Sequence, residues 1–401
     1  MTSELKTRWP VAVLAISAGV AAAAAIGKVP PALELLRREF SLSLVYGGWI
    51  VSIFSALVLA AGTGFGTLAD RIGSRRMLLV GLWVLAGAGL MAVLVSAPLV
   101  LLLTRLLEGA GFLAVAVAAP GIIISASAPQ DRSWSLGLWS VYVPTGVSLA
   151  MVTATLALDR LGWRGLWIIF ALASVVLALL GQWLLPRNPQ PSSPEPLRGN
   201  LVATLSRPGP WLLAGSFTAY TLMWISIMAW LPTYLIGQRG MAVSSASLLT
   251  ATLVAANIPG NLLGAWLLRR RWLGGTIAAL AAVIMGLSVF VAFDDHFSDI
   301  LRYGSCLLFS CTGGMLPAAI LGTSRLHAPD PQRIGTVNGM VIQGSHLGQF
   351  AGPPLIAMVV TAQGSWESTQ GYMVGCALAT LALSWGLRRV ERRSLQGRQR
   401  G

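Results

Sequence analysis

Apolar runs of membrane-spanning length, separated by short polar or basic segments, recur along the whole chain. A helix that crosses a bilayer needs about 20 mostly apolar residues. Twelve such runs are present, over 9–27, 44–68, 77–96, 99–127, 134–158, 165–185, 210–236, 243–268, 272–293, 300–322, 333–362 and 369–388. The pattern predicts an all-α integral membrane protein with twelve transmembrane helices. The fourth and eleventh runs are long, which tilt or an internal proline kink accommodates. Pro144 and the Pro353–Pro354 pair are the expected kink sites. Lys6 and Arg8 before an alanine-rich run ending at Ala25 give the first segment the look of a signal peptide. No soluble domain follows it for export, so a retained first helix is expected.

Composition removes the other broad classes. Of 401 residues, 55% are hydrophobic and 10% charged, and the mean hydropathy is +0.72. A soluble globule carries about 25% charged residues. Too few charges exist here to cover one, which excludes a soluble enzyme and a disordered chain. The formal net charge of +14 raises nucleic acid as a partner. The bases sit in short clusters between apolar runs, which is a loop pattern, so no nucleic acid is expected. Cys306, Cys311 and Cys376 lie inside apolar runs without metal-ligand spacing, and they read as packing residues. No metal and no cofactor are expected.

Basic residues also set an expected orientation. With the N-terminus inside, the inner segments hold 20 bases and the outer segments 7, Lys28 among the latter, while Arg105 falls within a span. The positive-inside bias with an even number of spans places both termini in the cytoplasm of a cell whose inner or plasma membrane holds the protein.

The Pro-rich polar stretch from Pro186 to Pro196 separates span six from span seven. The expected organisation is a six-helix bundle over 1–185, a linker over 186–209, and a second six-helix bundle over 210–401 with a short basic tail. Two six-span halves suggest an internal repeat, a frequent construction among secondary transporters. Gly66 to Arg71 closes span two and Gly264 to Arg269 closes span eight in a similar style, which supports the repeat.

Between spans two and three stands Gly66-Thr67-Leu68-Ala69-Asp70-Arg71-Ile72-Gly73-Ser74-Arg75-Arg76. This resembles the loop signature of the major facilitator superfamily at every key position. The resemblance implies two pseudo-symmetric six-helix bundles. It also implies a latch formed by Gly66, Asp70, Arg71, Gly73, Arg75 and Arg76 between the ends of the two halves. Physically, Gly66 permits close helix approach and Gly73 a tight turn. Asp70 suits the positive end of a helix, and the three arginines suit acids, helix C-termini or lipid phosphates. The basic residues also fit a plain positive-inside anchor.

Arg105-Leu106-Leu107-Glu108-Gly109-Ala110-Gly111 in span four resembles the family's second motif, with Glu108 where the family carries Gln. A charge at this depth costs several kcal/mol unless it is paired or wetted. Glu108, three residues on, shares a helix face with Arg105. Two readings stay open: a self-neutralising pair that holds helices together, or an anion or proton-coupling site. Span five has Pro144 and Gly146, but Val143 where antiporter branches of the family carry Gly.

Other spans carry polar candidates. In span eleven, Asn338, Ser345 and Gln349 form one helical stripe and Gln343 with His346 a second. His346 fits either a proton carrier or a neutral imidazole satisfied by neighbouring amides; His296 and His327 fall in loops. In span seven, Tyr220 and Trp224 are one turn apart at mid-span, where polar tips need partners. Span eight adds Asn257 and Asn261, and Tyr142 stands in span five. Hydrogen bonding between helices is the plainer role for these groups.

The sequence thus points to a secondary transporter working by alternating access, not an enzyme. The candidate substrate or proton-coupling residues are Arg105, Glu108, Tyr142, Tyr220, Trp224, Asn257, Asn338, Gln343 and His346. The stretches around Arg105–Gly109, Trp230–Leu235 and Gly348–Pro354 more loosely resemble the cyanate-permease and nitroimidazole-transporter branch. That branch implies a small anionic or small organic solute, coupled to protons. The alternative is proton-driven efflux of apolar or aromatic compounds by antiport. No ATP-binding loop is present. The expected partners are a small-molecule substrate, protons and membrane lipid, with the protein a monomer.

Overall fold

A computed structural model of the chain describes residues 6–61, 72–186, 204–294, 296–329 and 334–400, and it describes helices throughout. The helices are α1 (Trp9–Gly27), α2 (Val29–Glu39), α3 (Leu44–Ser52), α4 (Ser74–Val93), α5 (Pro98–Ala126), α6 (Arg132–Ser140) and α7 (Tyr142–Leu184). They continue with α8 (Pro208–Arg239), α9 (Val243–Ala255), α10 (Asn257–Arg269), α11 (Gly274–Phe293), α12 (Asp299–His327), α13 (Ile334–Gln363) and α14 (Thr369–Arg400). Nine described helical segments are long and apolar enough to cross a membrane. One of them, α7, is two helices joined at Gly162, whose φ of 62° and ψ of −175° leave the helical region. With α13 and α14 the described residues form twelve membrane-length segments, the all-α architecture expected. Large apolar side chains face outward, among them Leu94, Trp183 and Ile300, each more than four-fifths exposed. Such a surface suits lipid as the solvent.

Proline decides where several segments break. Pro144 has no amide hydrogen to offer the carbonyl of Ser140, and the helix divides at Val141 into α6 and α7. Pro259 does the same to span eight, which divides at Ala256 into α9 and α10. The Pro353–Pro354 pair, by contrast, lies inside an unbroken α13. Its position there is supported by Trp230, whose indole Nε1 donates to the Pro353 carbonyl at 3.0 Å. Pro30 and Pro31 interrupt the ladder between α1 and α2, but the helical path runs on from Trp9 to Glu39. The first span is therefore longer than 9–27. Lys28, assigned by sequence to an outer segment, is instead buried at the α1–α2 joint with 2% exposure.

The chain forms two compact units. The first comprises residues 1–43, 53–194 and 235–251, and the second residues 44–52, 195–234 and 252–401. In the first unit α1 packs against α5 and α7. The run Ala21–Ala25 keeps α1 narrow, and Gly146 of α7 meets the Val20 carbonyl with no room for a Cβ. Close backbone approach through small residues is how membrane helices associate. In the second unit α11 packs on α12 and α14, α10 on α12, and α3 on α13. Gly48 of α3 faces the Pro354 backbone, and the rings of Trp49 and Phe350 lie 5.3 Å apart.

Candidate functional site

The first unit buries three ionisable side chains together. Glu108 of α5 receives Lys28 Nζ at Oε1, 2.5 Å away, and Arg105 Nη1 at Oε2. Lys28, Arg105 and Glu108 are all 2% exposed or less. Arg105 Nη1 also donates to the Ala25 carbonyl at 2.9 Å, one turn before Lys28. The guanidinium lies 4.9 Å from the Phe54 ring centre, and the Lys28 ammonium 4.5 Å from that of Trp167. Both cations thus have a carboxylate oxygen and an aromatic face, which offsets removal from water. The paired Arg105–Glu108 expected from sequence is present. The sequence reading missed Lys28, which gives the cluster a formal charge of +1.

An aromatic series runs from this cluster. Phe54 lies 5.3 Å from Phe112, and Phe112 lies 6.4 Å from Tyr142. Tyr142 in turn stacks on Trp139 at 4.0 Å and 13°.

In the second unit, three of the nominated residues meet. Asn257 of α10 donates through Nδ2 to the Tyr220 hydroxyl at 3.2 Å and to the Ser310 carbonyl at 3.0 Å. Trp224 Nε1 donates to Ser310 Oγ at 3.2 Å. Asn261 Nδ2 closes the network on Asn257 Oδ1 at 2.8 Å. Helices α8, α10 and α12 therefore share one buried polar junction. Asn338, Gln343 and His346 all stand on α13, the first two half-buried and His346 buried. The α8 hydroxyls of Thr218 and Thr221 donate to the Gly344 and Ser345 carbonyls of α13 at 2.9 and 3.0 Å. Gln349 Nε2 donates to Ser345 Oγ at 3.2 Å, as their common stripe requires.

Of the nominated latch, Gly66, Asp70 and Arg71 lie outside the described residues. Gly73 has φ 86°, in the left-handed region that favours glycine, and it starts α4. Arg75 Nε donates to the Leu185 carbonyl at 3.0 Å and Arg75 Nη2 to the Gln182 carbonyl at 2.9 Å. It caps the C-terminal end of α7, one of the roles open to it from sequence. Arg76 is exposed.

His327 is not in a loop: it is the last residue of α12 and is buried. The helix holds it because Ser324 and the preceding turn continue the ladder up to Ala328. Its Nε2 lies 3.6 Å from Glu391 Oε1, and Glu391 Oε2 accepts the Gly275 amide at 3.0 Å. Glu391 has 0% exposure although Arg388, Arg389, Arg392 and Arg393 lie within three residues of it. Only the packing of α14 on α11 distinguishes it from a tail residue.

Comparison with known proteins places this geometry in a family. The description Major Facilitator Superfamily matches residues 13–353. The multidrug efflux pump LfrA of Mycolicibacterium smegmatis is 27% identical over 191 residues, 45% of this chain. That match spans only 36% of the pump's own length. A Bacillus subtilis protein provisionally named niacin/nicotinamide transporter NiaP is 22% identical over 334 residues, covering 78% of this chain and 82% of that protein. Among solved structures, a bacterial homologue of the human lysosomal transporter Spinster, inward-facing and unoccupied, superposes with a TM-score of 0.80 at 17% identity. The superposition covers 96% of this chain and 97% of that one. Twelve membrane-length segments among the described residues, the loop signature before α4 and the match over most of the chain agree: this protein belongs to the Major Facilitator Superfamily of membrane transporters.

Proposed function

We propose that the protein is a secondary transporter for small anionic solutes, coupled to protons and working by alternating access. The observation that carries this reading is the buried Lys28–Glu108–Arg105 cluster, where two cations face one carboxylate. A surplus positive charge at membrane depth is costly. An arriving anion lowers that cost, so the cluster supplies a specific attraction for anionic substrate. The Asn257–Tyr220–Trp224–Ser310 junction adds neutral donors and acceptors that suit orientation of a polar solute. The chain sits in the cell membrane with both termini in the cytoplasm, following its basic residues, and it acts as a monomer. Asn338, Gln343 and His346 on α13 are the remaining candidates for solute contact, and the Gly66–Arg76 segment for the conformational latch.

Thermal unfolding in detergent tests this reading. A bound ligand stabilises as ln(1 + [L]/Kd). A panel of small inorganic anions, aromatic carboxylates and cationic drugs should show stabilisation by anions, and Arg105→Ala should abolish it. Stabilisation by cationic or apolar compounds alone would replace this reading with proton-driven efflux. The aromatic series Phe54–Phe112–Tyr142–Trp139 and the partial likeness to a multidrug efflux pump favour that second reading.

A further inference from the structure

We propose that Lys28 is the group that carries the coupled proton; this rests on the anion-transport reading above and names its coupling residue. The first argument is charge. The cluster holds Lys28, Arg105 and Glu108 in direct ion pairs, each almost fully buried. Protonating Glu108 would leave two buried cations with no carboxylate, a formal +2. Releasing a proton from Lys28 takes the cluster to zero. Coulomb energy grows steeply as the local dielectric falls, so the neutral alternative wins at membrane depth. Arg105 cannot supply that proton, because a guanidinium stays protonated in proteins.

The second argument is composition. Of the chain's 28 basic residues only two are lysines, Lys6 and Lys28. Arginine serves at every other basic position. The buried base nearest the Glu108 Oε1 oxygen is the one of the two chemistries that can release a proton.

Among the described residues, the charged groups that act on Lys28 are Glu108 and Arg105. Helix α5 presents Glu108 and Arg105 to Lys28, and α7 presents the Trp167 ring. Helix α4 contributes Gly89, which lies beside Glu108. On its own helical path, Glu34 is engaged with Arg37 and Arg38.

The cycle follows with balanced charge. In the empty state Lys28 has given its proton to water, and the cluster is neutral. An anion enters together with a proton from water, which Lys28 Nζ takes up. The loaded cluster, Lys28⁺, Arg105⁺, Glu108⁻ and the anion, is again neutral. On the other side the anion leaves and Lys28 returns the proton to water. Anion and proton therefore cross in the same direction.

The test uses the full chain in detergent with Lys6→Arg, so that 15N-lysine labels Lys28 alone. Lys6 is exposed, so this change leaves the packing intact. The Nζ resonance is followed against pH, without ligand and with nitrate or benzoate. The proposal expects conversion from ammonium to amine while the protein stays folded, and a higher midpoint with the anion that stabilises the protein thermally. It further expects the anion Kd to rise about tenfold per pH unit above the ligand-free midpoint, the slope of one linked proton. In Lys28→Arg, anion stabilisation should persist and this slope should vanish. An ammonium signal at every pH, an unmoved midpoint with a stabilising anion, or an unchanged slope in Lys28→Arg would each overturn the proposal. If neither nitrate nor benzoate stabilises the protein, the anion-transport reading fails instead, and a ligand-free titration of Lys28 would still stand as the sign of a proton carrier.

Discussion

Lys28 Nζ and Glu108 Oε1 lie 2.5 Å apart although 80 residues separate them in the chain. Their pairing joins the α1–α2 joint to the middle of α5 at a depth where an isolated charge is costly. Arg105 takes the second oxygen of the same carboxylate. The carboxylate is thus the centre of the cluster, and its loss should matter more than the loss of either cation.

Glu108→Gln should lower stability by about 3–5 kcal/mol, because it leaves the Arg105 cation buried without a counter-charge and Lys28 without its carboxylate partner. Thermal unfolding in detergent measures this. Lys28→Met in the same chain should restore part of the loss, giving a coupling energy of about 0.5–3 kcal/mol in a double-mutant cycle. Additive effects of the two changes would show that the ion pair contributes nothing.

Gly260→Val should destabilise the second unit by about 1–3 kcal/mol. Gly260 of α10 meets the Cys311 carbonyl of α12 with no space for a Cβ, so α10 and α12 must separate. The Asn257 bond to the Ser310 carbonyl crosses the same contact. Stability unchanged from the parent would mean the two helices can part without cost.

Glu391→Ala should cost about 1–3 kcal/mol, the penalty for a buried amide left without an acceptor. Here the amide is that of Gly275 in the first turn of α11. Glu391→Gln keeps an acceptor oxygen and should lose clearly less. Equal losses in the two variants would show that the hydrogen bond is not the source of the effect.

Arg75→Lys should destabilise by about 0.5–1.5 kcal/mol. The planar guanidinium reaches the Leu185 and Gln182 carbonyls with two separate nitrogens. A lysine ammonium lacks that fork. Hydrogen exchange of the last turn of α7 should accelerate in the variant, and unaltered protection there would count against the capping role.

Tyr220→Phe keeps the ring stacked on Phe217, whose centre lies 5.9 Å away at 5°. It removes only the oxygen that accepts from Asn257. If this junction orients solute, substrate Kd should rise about fivefold, near 1 kcal/mol, with little change in unfolding temperature. A fall in stability with unchanged affinity would make the junction purely structural.

The number and character of the spans were legible in the sequence because each depends on local hydropathy and length alone. The break at Pro144 and the pairing of Arg105 with Glu108 were legible too, since both follow from positions within one helix. Tyr220, Trp224 and Asn257 could be nominated, because polar groups at mid-span need partners. That all three meet at Ser310 could not be read, since it depends on how α8, α10 and α12 cross.

A lipid-embedded, twelve-span helical chain with a buried arginine–glutamate pair follows from local sequence, because apolar run length and helical period are properties of neighbouring residues. The packing of distant helices sets the rest: Lys28 joins that pair, His327 and Glu391 are buried, and Arg75 closes a helix end 110 residues away. A signal for Lys28 existed in the apolar positions of α2, which extend the first span past the double proline. The partner across the helices did not. Burial and charge pairing are set by which faces touch, and that information is shared among segments far apart in the chain.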